Sequence, residues 1–492
     1  MTSSVISVLQ ISAVLVGLTA MVVSRIMSTR VSTYPPKVVS LFPWVGSAFN
    51  LVFTPSTFFA LCQAQYGPVF KLLAGGRNIV VVMSSDALSG VAFADHRVLS
   101  SHIQHYDHFR ALCSDSSLHP KIYDTIAQKI FPVLDRRLSK RTLGELTPPF
   151  AQLVLDKLKL FSGRPEVSLT RSLTEPLYVG ANGVLFGSRF PQDTYEDFFM
   201  LLKSLPKRLC RRPFWSFPSS RARDRLLQRI SGYLEGANPA TDDKLASTFT
   251  ALFREHDIPI EVAAPSVLLI MSSLHQNTVN VIFWLFAWLL ADPSALSAVR
   301  SEIDKAIRED FGNFQTFIAE ANPDKLDSPS FALLNSAILE TMRLTSVQTG
   351  VRLAASDIDI KDGGKTLPIL KGEYVVLDPR GAHMDKNMYP NCDKFVVSRF
   401  VESEYRGDLA ATVGYPYFAL GAGKHVCKGR FLAIYEIKVL AVIYLSLFDV
   451  TPVGRGEGPS STWEPPKSSP QSVGTIHPIE DVLVRLRPRS VL

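Results

Sequence analysis

The stretch Phe418-Ala-Leu-Gly-Ala-Gly-Lys-His-Val-Cys-Lys-Gly429 decides how the rest of the chain is read, and it runs into an apolar segment beginning Arg430-Phe431-Leu432. It puts one cysteine, Cys427, in a glycine-rich loop at the head of an expected helix. A thiolate suits that position, because the positive end of a helix dipole and free backbone N–H groups both stabilise a negative sulfur. Gly421 and Gly423 let the loop turn tightly and pass close to a flat ligand, and Gly429 lets the helix backbone approach it. His425, two residues before Cys427, is on the right scale to reach an acidic edge of the same ligand. Taken alone, the pattern fits a buried cysteine beside a loop equally well.

Two constellations upstream change that reading. Glu340-Thr-Met-Arg343 lies in a helical stretch entered at Ser328-Pro329, with serine at the N-cap and proline at the first helical position. Glu and Arg three apart share a helix face, which on its own is usually a solvated surface pair. Between this pair and the cysteine comes Phe395-Val-Val-Ser-Arg399-Phe400. Glu-x-x-Arg, then Phe-x-x-x-Arg-Phe, then the glycine-flanked cysteine, in that order near the C-terminus, resembles the cytochrome P450 superfamily. The resemblance implies a mainly α (α+β) fold with a small β-region. It gives Cys427 the role of axial thiolate ligand to haem b iron, and Glu340, Arg343 and Arg399 that of a buried ionic cluster beneath the haem. It also brings Gly423, His425 and Arg352 to the cofactor. Two positions depart from the pattern: Leu420 stands where Phe or Trp is usual, and Lys428 where a small or apolar residue is usual. Neither supplies the iron ligand, although Leu420 bears on packing at the sulfur side and so on redox potential.

The chain of 492 residues is 46% hydrophobic, enough for a large core, and no repeat or linker divides it after its first few dozen residues. A net charge of +7 fits a membrane surface or an acidic protein partner, and nothing suggests nucleic-acid recognition. Five scattered cysteines form no disulfide framework and no Cys-x-x-Cys metal site, which points to a reducing compartment.

Val5 to Val23 carries no charge and is followed by Arg25, Arg30 and Lys37. As a helix it would extend roughly 28 Å, about a hydrocarbon core. Positive charges after the run favour a signal anchor over a cleaved signal peptide and hold the following domain in the cytosol. The chain is thus divided into an anchor (1–28), a proline-rich hinge (29–50) and a catalytic domain (51–492), at the endoplasmic reticulum. Tyr66–Leu72 and Asn78–Met83 read as strands around Gly75-Gly76. Lys121 to Phe161 reads as helical, with a basic run at 135–141 that is a solvated face, a source of a haem-propionate arginine, or part of a docking surface for an acidic electron donor. Lys207–Phe217 mixes arginines with three aromatics, as at a membrane interface, and fits a simple surface loop equally well.

Val262 to Leu290 reads as one long apolar helix with polar residues near its centre, better placed beside a buried ligand than in lipid. It resembles the helix over the distal haem face in the family, where an acid and a threonine support proton delivery. Gln276 takes the acid position, Asn277 the threonine position, and Thr278 lies one step round. Amides hold and orient water but do not titrate near neutral pH. With Arg352 and Arg485-Leu-Arg-Pro-Arg489, Asn277 resembles the branch containing sterol 7α-hydroxylases and prostacyclin synthase. Gly454–Ser472 reads as a mobile surface loop, and Gly474–Arg487 as a turn and an alternating strand.

The implied function is a monooxygenase that inserts one oxygen atom into a lipophilic small molecule, sterol-, terpenoid- or polyketide-like, at a membrane. Electrons come from NADPH through a separate P450 reductase, since no dinucleotide fingerprint follows a strand here. Two alternatives stand beside it: a reductase-independent isomerase or dehydratase acting on a peroxide, and a non-catalytic membrane haem-binding protein.

Overall fold

The computed structural model describes residues 34–40, 42–113, 116–209, 218–236, 244–347, 350–401, 417–454 and 463–489. The expected anchor, Cys210 and the rings Phe214, Trp215 and Phe217 lie outside these residues. The helices around the site are α1 (Phe131–Arg137), α2 (Lys140–Lys159), α3 (Leu169–Phe186), α4 (Tyr195–Leu209), α5 (Ile260–His275), α6 (Thr278–Ala291), α7 (Pro293–Ala306), α8 (Ala332–Thr345) and α9 (Arg430–Leu447). Strands β1 (Val69–Ala74), β2 (Arg77–Val82), β3 (Leu99–Ser100), β6 (Gly350–Ala354) and β9 (Tyr374–Leu377) form one sheet in the order β1-β2-β9-β6-β3. Smaller sheets join β10 (Phe448–Pro452), β12 (Leu483–Pro488) and β4 (Val167–Ser168); β11 (Gly474–Thr475) and β5 (Ser346–Val347); and β7 (Ile358–Asp362) and β8 (Lys365–Ile369).

Local chemistry explains these elements. Gly75 and Gly76 take positive φ values of 56° and 74°, which a two-residue hairpin between β1 and β2 requires. Asp292 caps α7 by accepting from the N–H groups of Ser294 and Ala295, with Pro293 at the first helical position. Ser328 caps a short 3₁₀ turn, Pro329–Phe331, which leads into α8. β12 alternates exposed and buried residues from Leu483 to Leu486, as a half-buried strand must. α6 and α9 are buried almost all round, so they form the centre of the main core.

Two expectations, on the long apolar helix and the mobile loop, are modified. The apolar run from Val262 to Leu290 is not one uninterrupted helix: it breaks at Gln276–Asn277, between α5 and α6. There the Thr278 hydroxyl donates to the Leu274 carbonyl and Asn280 Nδ2 to the Gln276 carbonyl, each at 2.9 Å. Side-chain donors that compete for helix carbonyls loosen the ladder at that point. Within the stretch expected as a hinge, Pro36, Val38 and Ser47 are hydrogen-bonded to β1, through Lys71 N–H to Pro36 O, Val38 N–H to Lys71 O and Ser47 N–H to Leu73 O. The described end of the expected mobile loop is pinned: Ser56 N–H donates to Pro470 O, Gln471 Nε2 to Phe53 O, and Ser472 is fully buried. Among the described residues no single helix is long and apolar enough to cross a membrane.

Candidate active site

The cysteine loop is closed by backbone bonds. Cys427 N–H donates to Leu420 O at 2.8 Å, and Gly421 N–H to Phe418 O at 3.0 Å. Gly423, at φ 61°, lies so close to the helix Ser85–Phe93 that an added Cβ would stand 2.4 Å from the Ala92 carbonyl oxygen. Only glycine fits there. Cys62, Cys113 and Cys392 are buried free thiols, whereas Cys427 is exposed. Depth in the protein still pushes the Cys427 thiol up, opposed by the Gly429 N–H, Arg430 and Lys428. A thiol so placed gains most from binding a metal cation, which removes its proton outright.

Beneath the loop, the ionic residues close into one cluster. Arg343 donates to both Glu340 oxygens, Nε at 2.8 Å and Nη2 at 2.9 Å, and Arg399 Nε lies 2.9 Å from each of the same oxygens. Glu340 and Arg343 are fully buried and Arg399 is 7% exposed, so water screens none of these contacts. Further donors of both arginines reach backbone carbonyls. Arg343 Nη1 reaches the carbonyls of His383 and Cys392, and Arg399 those of Pro390 and Asn391.

His383, which the sequence analysis did not single out, joins this cluster to the cysteine loop. Its Nδ1 lies 3.0 Å from Arg343 O, and its Nε2 accepts from Phe418 N–H at 3.0 Å. The ring therefore donates at one nitrogen and accepts at the other, as only neutral imidazole can. Burial pushes its pKa down to about 3. No periodicity marks a lone histidine in Arg380-Gly-Ala-His383; its role depends on contacts far apart in sequence.

The three residues expected on the distal side point three ways. Gln276 is buried and lines a cleft of 470 Å³ with Lys203, Lys207, Asn280 and His477. The Thr278 hydroxyl is committed to Leu274 O. Asn277 is exposed, and so is Ser273 one turn before it, although most of α5 and α6 is buried. Spacing of i and i+4 puts both on one face. Leu274 on α5 comes within 3.9 Å of where a Cβ on Gly429 would stand, so the end of α5 approaches the cysteine loop next to the break. Ser273 could have been found from its spacing to Asn277.

Arg352 is buried in β6, opposite Val375, and burial alone lowers its guanidinium to about 10. His425 lies in a short 3₁₀ turn, Gly423–His425, beside the thiol and half-buried. Lys428 makes a 3.0 Å ion pair with Asp135 of α1, and Lys140 of the same basic run pairs with Asp327 at 2.8 Å. An accessible thiol in a glycine-tied loop, approached by the helix end beside a polar break, is a donor set that fits haem.

Fold and donor set together define the class of haem-thiolate proteins. The cytochrome P450 family model matches residues 36–471, and the chain belongs to that family. It is similar to cytochrome P450 7B1 of Mus musculus, 24% identical over 459 residues, covering 87% of this chain and 86% of the relative. It is also similar to cytochrome P450 7A1 of Oryctolagus cuniculus, 23% identical over 456 residues, covering 85% and 86%. Among solved structures, retinoic acid-bound cyanobacterial CYP120A1 superposes with a TM-score of 0.66 at 21% identity, over 92% of this chain and 99% of that one. That superposition bears on the fold alone. The protein is a cytochrome P450 monooxygenase whose cofactor is haem b.

Proposed function

We propose that this enzyme hydroxylates a sterol-like lipophilic substrate at the endoplasmic reticulum membrane. Residues 1–28 are its anchor, the stretch up to residue 50 connects anchor to body, and residues 51–492 form the cytosolic catalytic domain. Cys427 is the axial thiolate ligand, with Gly423, His425 and Arg352 in the haem's surroundings. Glu340, Arg343 and Arg399 fix the loops beneath it. When bound, haem supplies the activation of dioxygen, one atom of which enters the substrate while the other becomes water.

The chain's own residues perform the rest. Backbone bonds at Leu420 and Phe418 hold the sulfur in one place, so it need not reorganise as charge moves. Asn277 holds and orients a proton-carrying water at the distal face, and the Ser273 hydroxyl lies on the same side. Gln276 and Thr278 act from behind this face, by lining the neighbouring cleft and by shaping the break. The apolar walls of α5 and α6 keep bulk water from the reacting atoms.

One observation carries this reading: Ser273 and Asn277 are exposed at a break in an otherwise buried helix, and their neighbour Leu274 lies against the cysteine loop at Gly429. The choice of a sterol rests on relatives named cholesterol 7-alpha-monooxygenase (Cricetulus griseus) and 25-hydroxycholesterol 7-alpha-hydroxylase (Rattus norvegicus). The test supplies full-length protein in membranes with NADPH, reductase and labelled dioxygen. Sterols, terpenoids and polyketides are offered side by side. One labelled oxygen atom in a sterol product is the expected result. Turnover of a hydroperoxide without reductase and without label would make the protein an isomerase; haem binding with no turnover would make it a binding protein.

A further inference from the structure

Asn277 is held from behind by a turn near the C-terminus, and the hydrogen bonds run in one direction. Asn280 Nδ2 uses its two hydrogens on Gln276 O, at 2.9 Å, and on Thr475 Oγ1, at 3.0 Å. Thr475 Oγ1 therefore accepts from Asn280, and its own single hydrogen is left to donate. That hydrogen goes to Asn277 Oδ1, 3.4 Å away. Gly474, at φ 77°, brings its backbone directly against the same amide: an added Cβ would stand 2.6 Å from Asn277 Oδ1 and 3.7 Å from Nδ2. The oxygen thus faces the turn and the NH₂ faces away from it, toward the exposed side. Reversing the amide would set an NH₂ against the Thr475 proton.

The turn itself is fixed at both ends. Gly474 and Thr475 pair with Val347 and Ser346, directly after α8, and Ile476 N–H donates to Thr345 O at 2.8 Å. On the other side Trp284 Nε1 of α6 donates to Ile476 O at 3.0 Å. The segment is clamped between the helix that carries Glu340 and Arg343 and the helix that follows the break.

We infer that Thr475 is a positioning residue: through its hydroxyl it holds Asn277 with the amide NH₂ as a hydrogen-bond donor on the distal side. The group that Asn277 addresses is then an acceptor oxygen, of water or of substrate. Gly474 is required because any side chain would displace the amide oxygen. This rests on the proposed role of Asn277, and it deepens that role from a holder of water to a donor of fixed orientation.

The experiment compares Thr475→Val, Thr475→Ser, Asn277→Ala and the double variant Thr475→Val/Asn277→Ala. The readouts are the C–O stretching band of the reduced, carbon monoxide-bound protein and the share of NADPH electrons released as hydrogen peroxide. Thr475→Val should broaden or split the band and raise the peroxide share several-fold, at unchanged haem content. Thr475→Ser should keep both as in the parent. On the Asn277→Ala background, Thr475→Val should add nothing, because the group it positions is gone. Thr475→Ala carries the same expectations if Val blocks folding. An unchanged band in Thr475→Val, or a shift that persists without Asn277, would overturn the inference. The band is read without turnover, so a parent protein with no reductase-dependent product sinks the proposed reaction and leaves this comparison standing.

Discussion

The cysteine loop and the break between α5 and α6 approach each other at Gly429 and Leu274, yet they are held by different means. On the cysteine side, backbone bonds, a glycine locked against Ala92 and a buried three-residue ionic cluster leave almost every polar atom committed. On the other side, a few side-chain amides and hydroxyls replace a turn of helix, and Ser273 and Asn277 stay exposed. A group that must not move is thus built from backbone and buried charge. Groups that must exchange water and accept a substrate are built from short side-chain contacts that single substitutions can re-aim.

The largest test of that contrast is Cys427→Ser. The reduced, carbon monoxide-bound parent should show the red-shifted Soret band of a thiolate-bound haem, and the variant should lose it entirely. A normal band in the variant would remove Cys427 from the site. Next comes the cluster. Arg343→Ala or Glu340→Ala strands a buried charge, which costs about 3–5 kcal/mol, and should largely prevent haem incorporation. Full haem content with an unchanged melting temperature would show that the cysteine side is not held from below. Asn277→Ala, by contrast, should leave haem content unaltered.

A smaller effect, graded with pH, separates His383 on the cysteine side from His275 on α5. Burial holds both near pKa 3, far below the ordinary histidine value of about 6.5. Both are neutral in the fold, while the unfolded chain takes up protons as pH falls through about 6.5. Their stabilisation is complete above that value and is lost as pH falls toward the folded pKa, by about 1.4 kcal/mol per pH unit for each ring. Urea midpoints measured from pH 7 to pH 5 should therefore fall less steeply in His383→Gln and in His275→Gln than in the parent. Only His383→Gln should also disturb the thiolate Soret band, because only His383 bonds to Phe418. Equal spectral damage from both would erase the distinction between the two sides.

Most of the cysteine side could be read from the sequence, because its elements are local. Glu340 and Arg343 are one helical turn apart, Arg399 follows a recognisable Phe-x-x-x-Arg-Phe, and Cys427 lies among glycines. His383 escaped because its partners, Arg343 and Phe418, are 40 and 35 residues away. The distal side was less legible. The polar residues near the centre of the apolar run read as the lining of a ligand site, and nothing local showed that Thr278 and Asn280 would break the helix there by competing for its carbonyls. Nor could spacing alone show that Gln276 turns to one side and Asn277 to the other. The contact of Thr475 with Asn277 spans 198 residues and follows from strand pairing beside α8, which no local pattern encodes. The strands β1, β2 and β12 were legible because their turns and alternation are local.

The smallest prediction concerns Lys428, one of the two residues that depart from the family pattern. It bonds to Asp135, tying the cysteine loop to α1, but the two side chains are 41% and 46% exposed. Water and salt screen such a pair, so it contributes at most about 1 kcal/mol. Lys428→Ala should therefore leave haem content and the Soret band as in the parent, with a slight loss of melting temperature that disappears at high salt. Arg343→Ala should be insensitive to salt, because its partner is fully buried. The two substitutions lie on the same side of the site and each removes one cation, so the comparison isolates burial as the cause. If Lys428→Ala proved as damaging as Arg343→Ala, the cysteine side would depend on its surface as much as on its buried cluster, and the contrast drawn with the distal break would fail.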